Sequence, residues 1–263
     1  MIFVADQHSY RSSRRSRLFK RLQPQWYKHR ISTTLFDMVL RESHYRSFNE
    51  NRHPGSAAYR TTGKIMDRIS PATPEQFAQI ADHLERWKKI KGYPPNSWLT
   101  MARRPRVLRA YRDLHTSVMM DEGEVPKALK FMIAEVVSNA AGDSYCAAHN
   151  AQNAAIIGDT PAEKVEALWQ FQTSPLFTPA ERAALSLALA AGNHPPAVTD
   201  EHFVELKKHY SEDAITEIVA VISLLGWLNR WNQILATRLE DSALAFANKH
   251  LAPSGWTPGS CAR

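Results

Sequence analysis

Three side chains within seven residues have the types and spacing to do chemistry together. They are Asp143, Cys146 and His149, set at successive three-residue steps behind Gly142. All lie in Glu135–Gly158, EVVSNAAGDSYCAAHNAQNAAIIG, which holds one of the chain's two cysteines. Gly142 breaks the preceding helical pattern. Asp143 is then placed as the N-cap of the next helix, accepting from the amides of Tyr145 or Cys146. Cys146 falls in the first turn, where free amides and the helix dipole favour a thiolate. His149 lies one turn on, on the same face. A cysteine with a neighbouring histidine is the minimum for a nucleophilic or peroxide-reducing thiol. Asp143 opposes this if it points at the sulfur, because a nearby carboxylate raises a thiol pKa.

The same spacing has plainer readings. A cysteine on an Ala-rich helix is usually a small buried hydrophobe. The histidine beside it is then a packing residue, and the aspartate only a cap. A metal site from Asp143, His149 and Glu135 is weaker still, since no second histidine or carboxylate completes a helical pair. No cofactor is expected.

The elements that must position these residues read as helices. Thr73-Pro-Glu-Gln76 is a helix start, with Phe77, Ile80, Leu84 and Trp87 on one face. Gly92 with Pro94 and Pro95 ends it. Asn96 is read as the cap of a short helix. Pro105 opens another, with Val107, Leu108, Tyr111, Leu114 and Val118 inward. Pro126 begins a helix to Gly142, and the Cys146 helix runs from about Asp143 to Ile157. Thr160-Pro-Ala-Glu163 and Thr178-Pro-Ala-Glu181 both read as capping boxes that open helices of roughly a dozen residues. Thr199 caps a helix to about Tyr210. Ser211 caps the longest apolar helix, to about Arg238, and a last helix spans about Glu240–His250. No segment alternates with period 2, so the expectation is an all-α fold of about eight or nine helices.

Composition bounds what remains. At 263 residues, 44% hydrophobic and 22% charged, the chain has the makeup of a globular domain with a full core. Two cysteines, Cys146 and Cys261, give neither a disulfide framework nor a metal quartet, which suits a reducing, cytoplasmic setting. The net charge of +7 is unevenly spread. Residues 1–64 carry 13 Lys+Arg against 4 Asp+Glu, while the remainder carries 20 against 22. The expected division is a basic, weakly structured extension over 1–64 and a helical domain over 65–263. A translation start at Met66 is an alternative reading of the extension. The near-neutral body gives no reason to expect nucleic acid as its partner. Ser12–Lys20 resembles a twin-arginine signal, but Arg21–Arg30 is polar where an apolar stretch is needed. An organelle transit peptide and a basic arm that touches nucleic acid are further readings of the extension. The longest apolar run, Ile218–Leu228, is too short to span a membrane and reads as a buried helix.

VSNAAGDSYCAAHN resembles the signature of the AhpD-like, carboxymuconolactone decarboxylase family, close to V-S-x-x-x-G-C-x-Y-C-x-x-H-H. Val137, Ser138, Gly142, Tyr145, Cys146 and His149 match it. The flanks are similar to the family too: ISPATPEQ from Ile69, PPNSWLTMARRPRVLRAY from Pro94, the segment from Leu176 to Gln233, and the terminal GWTPG. The resemblance covers about residues 66–259. It implies an all-α AhpD-like helical domain, assembled as a homo-oligomer. It also implies a redox site in which two cysteines cycle between dithiol and disulfide while a glutamate and a histidine relay protons.

The chain departs from that pattern. Asp143 stands at the first cysteine, Asn150 at the second histidine and Phe131 at the relay glutamate, with Glu135 one turn later. A C-x-x-C disulfide is therefore impossible. Two expectations follow. One is a one-cysteine peroxidase with Cys146, His149 and Glu135 at its site, a peroxide or other small-molecule substrate, and an external thiol, or else Cys261, as reductant. The other is a catalytically degenerate, oligomeric binding or scaffold protein. Decarboxylation, named in the family title, comes third.

Overall fold

The computed structural model describes residues 68–81, 85, 88–89 and 91–261. The basic extension, the alternative start at Met66, and Leu84 and Trp87 lie outside the described residues. Ten α-helices are bounded within the described part, one or two more than the sequence suggested, and they contain no strand partner. They are α1 (Pro74–Ala78), α2 (Asn96–Met101), α3 (Pro105–His115), α4 (Lys127–Ala140), α5 (Ser144–Ile156), α6 (Ala162–Glu166), α7 (Pro179–Gly192), α8 (Asp200–Leu206), α9 (Glu212–Leu235) and α10 (Asp241–His250). A π-helical turn, Thr116–Met120, extends α3.

The centre is the α4–α5 hairpin. Nearly all of α4 is buried, because KALKFMIAEVVSNA is apolar around most of its circumference. The three residues between the helices include Gly142 at φ 74°, a conformation that suits glycine. Helix α5 returns antiparallel. Four of its ten buried residues are alanines (Ala147, Ala148, Ala151, Ala154), small enough to let the two backbones approach closely. A Cβ on Gly158, just past α5, would lie 2.8 Å from Ala128 Cα at the start of α4. Helices α7 and α9 pack over α4, and α10 packs on α5. Lys130, buried on α4, is held by Glu217 of α9 at 3.1 Å.

Helix α9 is 24 residues long, well beyond the Ile218–Leu228 run, and by length and composition alone it suffices to cross a membrane. Its inner stripe, Ala214, Ile218, Val221, Leu225, Asn229 and Asn232, is nevertheless buried against the rest of the domain.

Several local expectations are corrected. Val107 and Leu114 are 37% and 53% exposed; α3 instead buries Leu108, Tyr111, Arg112 and His115. Arg112 can turn inward because its guanidinium lies 4.2 Å from the Trp98 ring. Asn96 is the first residue of α2 rather than its cap, and its side chain donates to the Arg238 carbonyl at 2.9 Å. Thr178 forms its capping box with Glu181, but Thr160 does not cap α6. The Thr160 amide donates back to the Ala154 carbonyl at 2.9 Å, and its hydroxyl is buried. Helix α6 then starts behind Pro161 and lasts only five residues.

Candidate active site

Asp143 caps α5 as its position suggests. Its Oδ1 accepts from the Tyr145 amide at 3.1 Å and from the Cys146 amide at 3.4 Å. This fixes Cys146 in the first turn, 1% exposed, facing α9. There the Asn232 Nδ2 donates to the Cys146 Sγ at 3.2 Å. The helix terminus does not lower this thiol. Burial pushes Cys146 well above the ordinary cysteine value and the Asp143 carboxylate adds to the shift, outweighing the Asn232 donor. Burial also raises Asp143 itself to about 7, against its amide donors. A carboxyl poised at neutral pH beside a thiol is suited to take the thiol proton as the sulfur attacks.

The second carboxylate oxygen of Asp143 and the amide oxygen of Asn232 are buried without hydrogen-bond partners. Ser138 Oγ, on the preceding helix, is another such atom. Unpaired polar atoms at this depth are costly, so a native site that keeps them calls for an explanation. Tyr111 is buried near the sulfur: burial and the Cys146 charge both raise its hydroxyl. Trp227 stacks on Tyr111 at 5.4 Å and Trp231 on Trp227 at 5.6 Å, giving an aromatic ladder beside the site.

His149 faces away from this pocket. Its Nε2 lies 2.6 Å from Glu240 Oε2, and its Nδ1 lies 3.4 Å from Lys91 Nζ. Lys91 can only donate, so Nδ1 accepts and Nε2 carries the proton to Glu240; the tautomer is assigned from these partners. Burial, with the Lys91 charge, draws the imidazole below its ordinary value despite Glu240. Glu240 also accepts from the Tyr145 hydroxyl at 2.9 Å and from the Asn96 amide. Burial pushes the Glu240 carboxyl up, but His149 above all, with the Asn96 amide, outweighs it and draws the carboxyl below its ordinary value. Lys91 is drawn down to about 8 by burial and donates to Asn153 Oδ1 at 2.8 Å.

Glu135, buried on α4, goes elsewhere again. Its Oε1 accepts from Trp169 Nε1 at 3.2 Å and from Asn139 at 3.5 Å, while Oε2 has no partner. Burial raises this carboxyl to about 7. Thus Cys146, His149 and Glu135 each bond to a different set of residues. Among the described residues no group of three His, Cys, Asp or Glu side chains is arranged to hold a metal ion.

The sequence reading overlooked Asn232, Glu240 and Lys91. For Asn232 a signal existed: the apolar stripe of α9 continues at 229 and 232 with asparagines, and a polar residue at a core position needs a buried partner. Glu240 and Lys91 lie 91 and 58 residues from His149, and nothing local marks them.

Comparison with known proteins places the chain in a family. Residues 105–190 match the carboxymuconolactone decarboxylase family. The Escherichia coli (strain K12) protein YnjA is 36% identical over 74 residues, which is 28% of this chain and 41% of YnjA, so the chain spans less than half of that curated relative. The debrominase Bmp8, solved alone and as a cysteine-to-alanine variant with 2,3,4-tribromopyrrole, is 33% identical at TM-score 0.65, covering 71% of this chain and 99% of Bmp8. A peroxidase-related protein from Ralstonia eutropha JMP134 with an alkylhydroperoxidase AhpD core has TM-score 0.61 at 23% identity, covering 70% of this chain and 97% of its own; that likeness is one of fold. The chain belongs to the carboxymuconolactone decarboxylase family and carries its all-α, AhpD-like fold.

Proposed function

We propose that the protein is a thiol-dependent reductase of small oxidised molecules, with a hydroperoxide as the substrate class. The observation that carries this reading is the Asp143–Cys146–Asn232 arrangement, in which a carboxyl near 7 and an amide donor both address one sulfur. The Cys146 sulfur attacks the terminal peroxide oxygen as Asp143 takes the thiol proton. The O–O bond breaks, the departing alkoxide receives that proton, and Cys146 is left as a sulfenic acid. Asn232 offsets the negative charge that grows on sulfur. Dithiol reductant returns the thiol. A cytoplasmic setting, rich in small thiols, suits this cycle. Purified protein assayed with alkyl hydroperoxide and a dithiol tests it, wild type against Cys146→Ser. Equal rates would overturn the reading.

The likeness to Bmp8 favours a second substrate for the same sulfur. Attack of the Cys146 sulfur on an aromatic bromine would break the C–Br bond and give a sulfenyl bromide, the ring carbon taking the thiol proton through Asp143; a second thiol would then release bromide as a disulfide forms. A bromopyrrole offered in the same assay, with bromide release measured, separates the two. The depth of Cys146 favours instead a family member that has lost redox chemistry and serves as an oligomeric scaffold. The exposed apolar residues Val219, Trp227 and Ile234 on α9 suit a homo-oligomer contact. Alkylation of Cys146 at neutral pH discriminates: a thiol inert in the folded protein supports the scaffold.

A further inference from the structure

Cys261 is a buried thiol that the cycle above leaves unused. It ends the short turn Gly259–Cys261, which packs on α5, and both cysteines belong to one apolar core. A Cβ on Gly259 would lie 3.6 Å from Ser144 Oγ, two residues before Cys146. The turn is also tied to the chain that follows α9: the Leu239 amide donates to the Cys261 carbonyl at 2.9 Å. Leu239 lies four residues after Leu235, the last residue of α9, so the helix end carrying Asn232 and the turn carrying Cys261 meet at the α5 N-terminus. The Cys261 thiol donates to the Pro258 carbonyl at 2.7 Å. Burial raises it to about 12, and the Asp143 carboxylate adds to that shift, as it does for Cys146. Asp143 caps the helix end on which this turn packs, and one of its carboxylate oxygens is unpaired.

We infer that Cys261 is the resolving thiol of this site, replacing the partner cysteine whose motif position Asp143 occupies. The inference rests on the thiol chemistry proposed for Cys146 and names the group that completes it. The Cys261 sulfur attacks the Cys146 sulfenic acid and the S–S bond forms as the S–O bond breaks. The Cys261 proton passes through Asp143 to the departing hydroxide, which leaves as water. External dithiol then reduces the Cys146–Cys261 disulfide by exchange. The redox pair is thus assembled from residues 115 positions apart rather than from one helical turn.

The test uses the full chain, reduced and freed of reductant, in two arms: one equivalent of cumene hydroperoxide, and diamide, which oxidises thiol pairs without a sulfenate. Each sample is denatured in alkylating reagent, digested and read by mass spectrometry without reduction. The expected result in both arms is a chain 2 Da lighter, with the peptides of Cys146 and Cys261 joined within one molecule. Cys261→Ser, and Cys261→Ala as a second variant, lose the cross-link, and peroxide then leaves Cys146 as a sulfenic acid that dimedone captures at +138 Da. A wild-type chain that gives the dimedone adduct with Cys261 still free would overturn the inference while leaving the peroxide chemistry of Cys146 standing. A cross-link with diamide but no reaction with peroxide would overturn the peroxide chemistry and the resolving role with it. No cross-link in either arm, or one between two molecules, would overturn the pairing itself.

Discussion

The two faces of the first turns of α5 are built on opposite terms. On one, Tyr145 and His149 meet Glu240 and Lys91, and the hydrogen bonds close: Glu240 holds Tyr145, His149 and the Asn96 amide, while Lys91 holds Asn153 and His149. On the other, Cys146 has a single side-chain donor, and the carboxylate and amide beside it each keep an unpaired oxygen. A network closed on all sides braces a fold, and His149 is one of its members. A polar pocket left incomplete at similar depth costs stability, and such a cost is commonly kept where a substrate or a reaction uses it. The contacts of His149 lie in the closed network, and the aspartate that caps α5 is also a group that acts on the sulfur.

Four substitutions break or sharpen this contrast. Cys146→Ser should reduce peroxide turnover at least ~100-fold, since it removes the sulfur that attacks the peroxide, as measured by hydroperoxide loss with dithiol. Asp143→Asn keeps an N-cap, because asparagine accepts from the same amides, and so isolates the charge. It should slow Cys146 oxidation about 100-fold at pH 7.5 and abolish the rise of rate with pH, because the general base is gone. On the closed face, Glu240→Ala strips His149, Tyr145 and Asn96 of their acceptor at once. It should cost about 3 kcal/mol in urea unfolding while leaving the rate per folded molecule within about threefold of wild type. A similar loss of activity on both faces would erase the contrast.

The last effect concerns pH. Glu135 has a folded value near 7 against 4.5 for the free side chain. The folded state therefore holds this proton more tightly than the unfolded one. Its contribution is fully present below about 4.5, declines as pH rises toward 7, and stays lost above that. Relative to Glu135→Gln, wild type should lose up to about 3 kcal/mol across that window, read from urea unfolding at stepped pH. Parallel stability curves for the two proteins would show that Glu135 keeps an ordinary carboxylate.

How much of this was legible in sequence depends on the range of the interaction that decides each residue. The Asp143 cap, the first-turn position of Cys146 and the capping box at Thr178 are local, set by atoms within three residues, and their spacing reveals them. The identical Thr-Pro-Ala-Glu at Thr160 behaves differently because its amide is drawn back to Ala154, a tertiary demand that spacing does not carry. The inward face of α3 departs from its apolar spacing because Arg112 and His115, polar by type, find Trp98 and Tyr111 in the core. At the site, burial reversed the sign of the Cys146 shift: the helix terminus favours a thiolate, but desolvation and Asp143 outweigh it. Asn232, Glu240 and Lys91 arrive from 58 to 91 residues away, so only the folded chain reveals whom they hold.

The central claim is that Cys146 reacts as a nucleophile whose proton Asp143 removes. Its most direct measurement is the rate of Cys146 oxidation by a stoichiometric alkyl hydroperoxide, followed from pH 5 to 9 in wild type and in Asp143→Asn. The expected result is a wild-type rate that climbs through about pH 7 and levels off, with a low, flat profile in the variant. Superimposable profiles, or a Cys146 that peroxide never oxidises, would contradict it.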